Sequence, residues 1–273
     1  MHTPFSELLA AAAARRGAVG AFTCYNLETA LGILEAAEER DRGVILLVSR
    51  QSFAAPGGEL LLPALATTAA SAPARACVQL DHVSDVDVIE RAFDLGAAAV
   101  TADGSRLPLE ENMGLVRAAA ARGGQVEAEL GGIEGDEDVA AAVTAGALTD
   151  PAAAARLAEE TEAACLAVSI GNVHGRYRVP PDLDWPRLEA IHDQVEIPLS
   201  LHGASGLPDA DVRRAISLGV RKVNVNTELR EAYLAVTEEQ LGHAKPGARV
   251  LELNQAQVAA VGEIVRRKLD VLG

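Results

Sequence analysis

The sequence predicts a (β/α)8 barrel from three observations. It contains eight apolar runs of strand length, a helix-patterned segment follows nearly every run, and polar or ionisable residues gather where strands three to eight end. A doubly wound open sheet shares the first two features. The third separates them, because a barrel brings all its strand ends around one mouth, and Asp81, His82, Asp103, Glu129, His174, His202 and Asn224 all sit at or just past such ends. The expectation is one barrel domain over 1–273, with an extra helix at each end of the chain.

The elements follow in order. The start of the chain, from Met1 through the alanine run that ends in Arg15-Arg16, reads as an amphipathic helix; it lacks a basic leader, unlike a secretory signal. Residues 18–23 are the first strand, and Asn26 caps the helix that Leu27, Ala30, Leu31 and Leu34 pattern. Strand two is 44–48. A Gly57-Gly58 turn then leads into a helix to about residue 70, and strand three, 76–80, ends at Asp81-His82. Ser84 with Asp87 reads as a capping box opening the next helix. Strand four is 97–101, Pro108 starts a helix, and strand five is 126–130. The acidic, glycine-rich stretch from Gly131 to Asp150-Pro151 is too long for an ordinary connection and implies function. Strands six to eight are 166–170, 198–201 and 220–224, each leading to a helix, and a last helix runs to Leu272.

With 49% hydrophobic residues the chain has ample apolar side chains for a large core. Its apolar runs stop short of the roughly 18 residues of a membrane span, which excludes a bilayer partner. A formal charge of −15 with no basic patch excludes a nucleic-acid partner, whose phosphates would need clustered lysine and arginine. Cys24, Cys77 and Cys165 form no CxxC pair and lie in apolar strands, as free thiols do in a reducing compartment; a cytoplasmic location is expected.

A lone histidine at a strand end is ordinarily a hydrogen-bonded rim residue. Here His82, His174 and His202 share that placement in or beside glycine-bearing turns, whereas His2, His192 and His243 do not, and the coincidence favours a metal. Three imidazoles with an open fourth position describe catalytic zinc, a Lewis acid toward a carbonyl oxygen. Asp81 is the candidate base, with a role in merely orienting a histidine as the alternative. The small-residue turns 202–206 and 224–227, each at a helix start, are candidate phosphate cradles, with Gly175 as a further amide.

Several motifs carry a family resemblance: LDH at 80–82, TADGS at 101–105, VEAELG at 126–131, LTDP at 148–151, AVSIGNVHG at 167–175, PLSLHGASG at 198–206 and KVNVNTEL at 222–229. In order and over nearly the whole chain, they resemble the class II, zinc-dependent ketose-bisphosphate aldolases of the fructose- and tagatose-bisphosphate type. The resemblance implies that His82, His174 and His202 bind Zn2+ and that Asp81 takes the C4 hydroxyl proton of a phosphorylated ketose. Cleavage would give an aldehyde and the enediolate of dihydroxyacetone phosphate, held on the zinc. It also implies that Gly175, Gly203, Ser205, Asn226 and Thr227 bind phosphate beside a monovalent cation (Na+ or K+), and that Asn224 contacts the triose. Glu137 matches the acid that handles the C3 proton, and Asp103 and Glu129 match an alternative metal position. A homodimer or homotetramer, and a place in carbohydrate metabolism such as glycolysis, are implied as well.

The chain departs from the family pattern at Glu134, at Tyr177-Arg178 and near the last helix, where an Asp-Pro-Arg segment survives only as Pro246-Gly247-Ala248-Arg249. These changes bear on the distal phosphate: by the resemblance, the arginine of that segment reaches the distal phosphate of a neighbouring subunit's substrate, and Arg249 is the candidate. Two other chemistries fit the same barrel: a Schiff base on Lys222, which shares the inward parity of Asn224 unless it pairs with a carboxylate such as Glu129, and zinc hydrolysis with Asp81 activating water. A binding protein without turnover is the non-enzymatic alternative.

Overall fold

Runs such as Val44–Ser49 are buried on both faces, which is possible only where helices cover one side and the barrel interior the other. In the computed structural model, which describes residues 3–135, 142–143, 146–177 and 182–273, eight such strands close on themselves. They are β1 (Val19–Thr23), β2 (Val44–Ser49), β3 (Ala76–Val83), β4 (Ala99–Asp103), β5 (Gln125–Leu130), β6 (Cys165–Val168), β7 (Leu199–Leu201) and β8 (Val220–Val225). Every pairing is parallel between sequence neighbours, and β8 closes on β1 with Ala21 opposite Asn224.

The extra N-terminal helix, α1 (Phe5–Ala14), shuts the bottom of the barrel. Its buried Phe5, Leu8, Leu9 and Ala12 form one cluster with Val19, Ala21, Ile45, Leu47, Cys77, Ala99 and Cys165, the lower inward residues of the strands. Higher on the strands the inward positions turn polar. On β3 the column reads Cys77, Gln79, Asp81, and on β5 Gln125, Glu127, Glu129. The barrel is thus dry at the base and ionisable at the mouth. All three cysteines are free and buried, as expected of reduced core thiols, and burial pushes the Cys77 thiol up to about 12.

Helices cover the outside: α2 (Leu27–Glu39), α4 (Leu61–Ser71), α5 (Val86–Asp94), α6 (Leu109–Ala120), α7 (Pro151–Glu160), α8 (Trp185–His192), α9 (Asp209–Ser217) and α10 (Thr227–Ala244). The short α3 (Arg50–Ala54) lies in the loop after β2, and α11 (Val250–Leu272) is the extra C-terminal helix, packed on α2 and α10. Asn26 caps α2 as expected, its side chain accepting from the Thr29 amide while Thr29 answers in kind. The cap of α5 is corrected: Asp85, not Ser84, stands at the N-cap, its carboxylate accepting from the Asp87 amide at 2.9 Å. Aspartate is the stronger acceptor at the positive end of a helix.

β3 also differs from expectation, since pairing continues past Leu80 to Val83 with a register shift between them. His82 there has φ +104°, a region that non-glycine residues rarely enter. In a regular strand, neighbours point to opposite faces; the bulge lets Asp81 and His82 both face the mouth. Strain of this kind persists where the surrounding structure enforces it, commonly at a functional site.

Candidate active site

The three histidines come together from distant segments. His82 lies on β3, His202 directly follows β7, and His174 lies in the loop after β6. Ring centroids are 5.2 Å apart for His82 and His174, 5.0 Å for His82 and His202, and 5.7 Å for His174 and His202. One nitrogen of each lies within 4.8 Å of the others, close enough to share a metal ion. His82 Nε2 approaches His202 Nδ1 to 3.1 Å, so these two atoms point at a common centre.

The other ring nitrogens are committed elsewhere. His202 Nε2 is 2.8 Å from Glu127 Oε1, and His82 Nδ1 is 3.4 Å from Asp103 Oδ2 and 3.0 Å from Glu129 Oε2. Asp103 is a hydrogen-bond partner of His82, and Glu129 is its ionic neighbour. Carboxylates behind imidazoles in this way fix the tautomer that presents the opposite nitrogen to a metal. His82, Asp103 and Glu129 form a second group whose ligand atoms lie within 4.8 Å of one another.

Electrostatics fit a cation at the centre. Burial depresses the His174 imidazole well below its ordinary value, and the charges of His82 and His202 depress it further, which keeps it neutral as a ligand must be. Burial alone would lower His82 too; Asp81, Glu129 and Asp103 outweigh it and hold His82 well above the ordinary value. Burial raises the Glu129 carboxyl, whereas the Asp103 carboxyl lies well below the carboxylate range because His82 and the Ser105 donors overcome its burial. The donor set and its surrounding acids therefore suit zinc.

Asp81 is buried beside this cluster, its Oδ1 3.6 Å from His82 Nε2. The Thr101 hydroxyl donates to Oδ1 at 2.5 Å and Asn224 Nδ2 to Oδ2 at 2.9 Å. Asp81 opens onto a cavity of about 540 Å³ lined also by Ser49, Arg50, Ser105, Arg106, Glu134 and His174. On the other side of His174 a narrow recess is lined by Gly175, Gly203, Ser205, Asn224, Asn226 and Thr227. The expected phosphate turns thus meet in one place.

Glycine is required there. At Gly203, φ is +65° and a Cβ would come within 2.0 Å of the Val173 carbonyl oxygen. The Tyr177 hydroxyl, pushed up to about 12 chiefly by burial and so kept protonated, donates to the Gly203 carbonyl at 3.0 Å. Asn226 stands at the N-cap of α10, but its amide side chain does not cap. Instead the Tyr25 hydroxyl donates to Asn226 Oδ1 at 3.1 Å, and the Ser205 hydroxyl accepts from the Asn226 amide at 3.3 Å.

Two expectations change in detail. Lys222 pairs with Glu127, at 2.8 Å, not with Glu129, because Glu127 is one inward layer lower on β5 and level with the ammonium. Asn224, expected to face the triose, already donates to Asp81 and accepts from Lys222 Nζ at 2.6 Å. Arg249 stands at the start of α11, exposed and 3.7 Å from Glu252, and it is not among the described residues lining the cavity. Glu137 and Arg178 lie outside the described residues. Sequence reasoning overlooked Gln79, Thr101 and Glu127, although strand parity marks them: each lies two residues before a mouth residue and so points inward beneath it.

A closed parallel barrel with ionisable groups at its C-terminal mouth is the architecture of a barrel enzyme. This chain belongs to the family of class II fructose-bisphosphate aldolases, whose profile, described as "Fructose-bisphosphate aldolase class-II", matches residues 3–273. It is accordingly an aldolase-type lyase. Among solved structures it is similar to the YdjI aldolase from Escherichia coli K12, at 30% identity and TM-score 0.84, covering 100% of this chain and 98% of that one. It is similar also to a Coccidioides immitis protein assigned as a fructose-1,6-biphosphate aldolase, at 31% identity and TM-score 0.88, covering 97% and 94%. Fructose-bisphosphate aldolase from Campylobacter jejuni shares the fold at 20% identity and TM-score 0.78, covering 99% and 95%. Among the described residues no helix is long and apolar enough to cross a membrane.

Proposed function

We propose that the protein is a zinc-dependent aldolase that reversibly cleaves a phosphorylated ketose, of the fructose- or tagatose-1,6-bisphosphate kind, to dihydroxyacetone phosphate and an aldehyde. The observation that carries this reading is the buried Asp81 carboxylate beside three converging imidazoles, with a narrow recess lined by the small-residue turns on one side and an open cavity on the other. His82, His174 and His202 would hold the zinc, and when bound it supplies Lewis-acid stabilisation of the charge that develops on the triose half.

The chain's own groups do the rest. Gly175, Gly203, Ser205, Asn226 and Thr227 anchor the triose phosphate, with a monovalent cation among the groups that offset its charge. Asp81 accepts the C4 hydroxyl proton; the C4–O electrons form the aldehyde carbonyl as the C3–C4 bond breaks toward the triose. Asp81 has lone pairs for this proton, since Thr101 and Asn224 hold only two of the carboxylate's acceptor positions and Asp81 lines the cavity. Glu137 is the proposed donor to C3. Asp103 and Glu129 flank His82 and offer the zinc its alternative position.

The Schiff-base reading loses support at Lys222. Its ammonium is buried between Glu127 and Asn224; burial would lower its pKa, but the charges of Glu127 and Asp81 raise it, so the amine stays protonated and is no nucleophile. Exposed Leu27, Leu31, Leu234, Leu241, Val250 and Leu251 supply apolar surface for the homodimer or homotetramer we propose. We place the reaction in cytoplasmic carbohydrate metabolism of the glycolytic kind, in line with three reduced thiols.

A zinc-supplemented cleavage assay across fructose- and tagatose-1,6-bisphosphate and ketose monophosphates tests the reading. Dihydroxyacetone phosphate is the expected product. Release of a carboxylate or an amine from other substrates, with no triose phosphate, would count for hydrolysis instead.

A further inference from the structure

One layer below the mouth the barrel holds polar side chains that close into a ring through Asp81 and that, Asp81 aside, proton transfer itself does not use. Lys222 and Glu127 are both fully buried, with Nζ 2.8 Å from Oε2. The same ammonium donates to Asn224 Oδ1 at 2.6 Å, and Asn224 Nδ2 donates to Asp81 Oδ2 at 2.9 Å. On the other side Gln79 Nε2 donates to Glu127 Oε2 at 2.7 Å and to Thr101 Oγ1 at 2.8 Å. The Thr101 hydroxyl then donates to Asp81 Oδ1 at 2.5 Å, which closes the ring. A hydrogen-bonded branch leaves it, from Glu127 Oε1 to His202 Nε2 at 2.8 Å.

Donor directions in this ring are fixed by chemistry. An ammonium only donates and the two carboxylates only accept, so Asn224 must turn its oxygen to Lys222 and its nitrogen to Asp81. Likewise Gln79 must turn its nitrogen to Glu127, and Thr101, having accepted from Gln79, gives its one proton to Asp81. Reversing any member would set two donors or two acceptors face to face in a dry interior, where that is costly.

We propose that Lys222 and Glu127 are positioning residues that place the base and one metal ligand together. Glu127 holds His202 in the tautomer that carries its proton on Nε2 and turns Nδ1 to the metal. Lys222 balances the Glu127 charge and, through Asn224, orients the Asp81 carboxylate. This rests on the zinc and Asp81 assignments made above.

Three variants of the full chain test it, each read by melting temperature, by zinc affinity in competition with a chromophoric chelator, and by kcat at saturating zinc. Lys222→Met strands a buried carboxylate and is expected to lower the melting temperature sharply. Lys222→Met combined with Glu127→Gln removes both charges together and recovers most of that loss, as neutral replacements of buried ion pairs do. Zinc affinity of the double variant stays down by about 10–100-fold, and kcat falls as well. Thr101→Val cuts the ring on the Asp81 side without touching a charge; kcat drops by about tenfold or more while zinc affinity holds. A double variant with wild-type zinc affinity and kcat overturns the proposal, as does a Thr101→Val enzyme with unchanged kcat. If His202→Ala binds zinc as the wild type does, the metal assignment itself is wrong and this inference falls with it.

Discussion

Asp81→Asn is expected to retain zinc and the barrel but to lose about 10²–10⁴-fold in kcat, the range that a positioned general base supplies. An amide cannot take the C4 hydroxyl proton. The substitution also disturbs the local hydrogen bonds, because Thr101 and Asn224 both donate to Asp81 and an asparagine offers only one accepting oxygen. One buried donor is left facing an N–H, at a cost of about 1–3 kcal/mol in stability. Melting temperature and zinc affinity separate the effects: a modest thermal shift with intact zinc and a large kcat loss assigns the chemistry to Asp81. Unchanged turnover would show that Asp81 only orients its neighbours.

His202→Ala has the second large effect. Loss of an outer partner of a metal ligand typically costs 10–100-fold in affinity, so removal of the ligand itself is expected to exceed about 100-fold. Zinc content after desalting, read by atomic absorption, should fall to near zero. Cleavage should fall by about 10³-fold or more, since Lewis-acid stabilisation is worth several kcal/mol and each 1.36 kcal/mol is tenfold in rate. The fold is expected to survive, because Glu127 keeps Lys222 and Gln79 as partners after His202 is gone. Full zinc occupancy in this variant would refute the three-histidine site.

Much of this was legible in the sequence because strand parity and apolar run length are local properties. All eight strands lie where the runs predicted, seven of them within two residues at their ends and β3 running three residues further, to Val83. His82, His174 and His202 could be grouped because a barrel makes strand ends neighbours whatever their separation in sequence. What stayed hidden is what depends on three-dimensional register. The bulge at Asp81-His82 puts two adjacent residues on one face, which regular alternation forbids. The pairing of Lys222 with Glu127 depends on the height of β8 against β5, three places around the barrel, which no single segment encodes. Asp85 took the cap from Ser84 by a shift of one residue, within the ordinary uncertainty of helix ends.

The most direct test of the zinc-aldolase account is a zinc titration of metal-stripped protein while dihydroxyacetone phosphate released from fructose- or tagatose-1,6-bisphosphate is followed. Activity is predicted to be absent at the start, to rise with added zinc and to level off at about one zinc per chain, with borohydride leaving the protein unlabelled. Full cleavage by the stripped protein, with borohydride trapping the triose on Lys222, would contradict it.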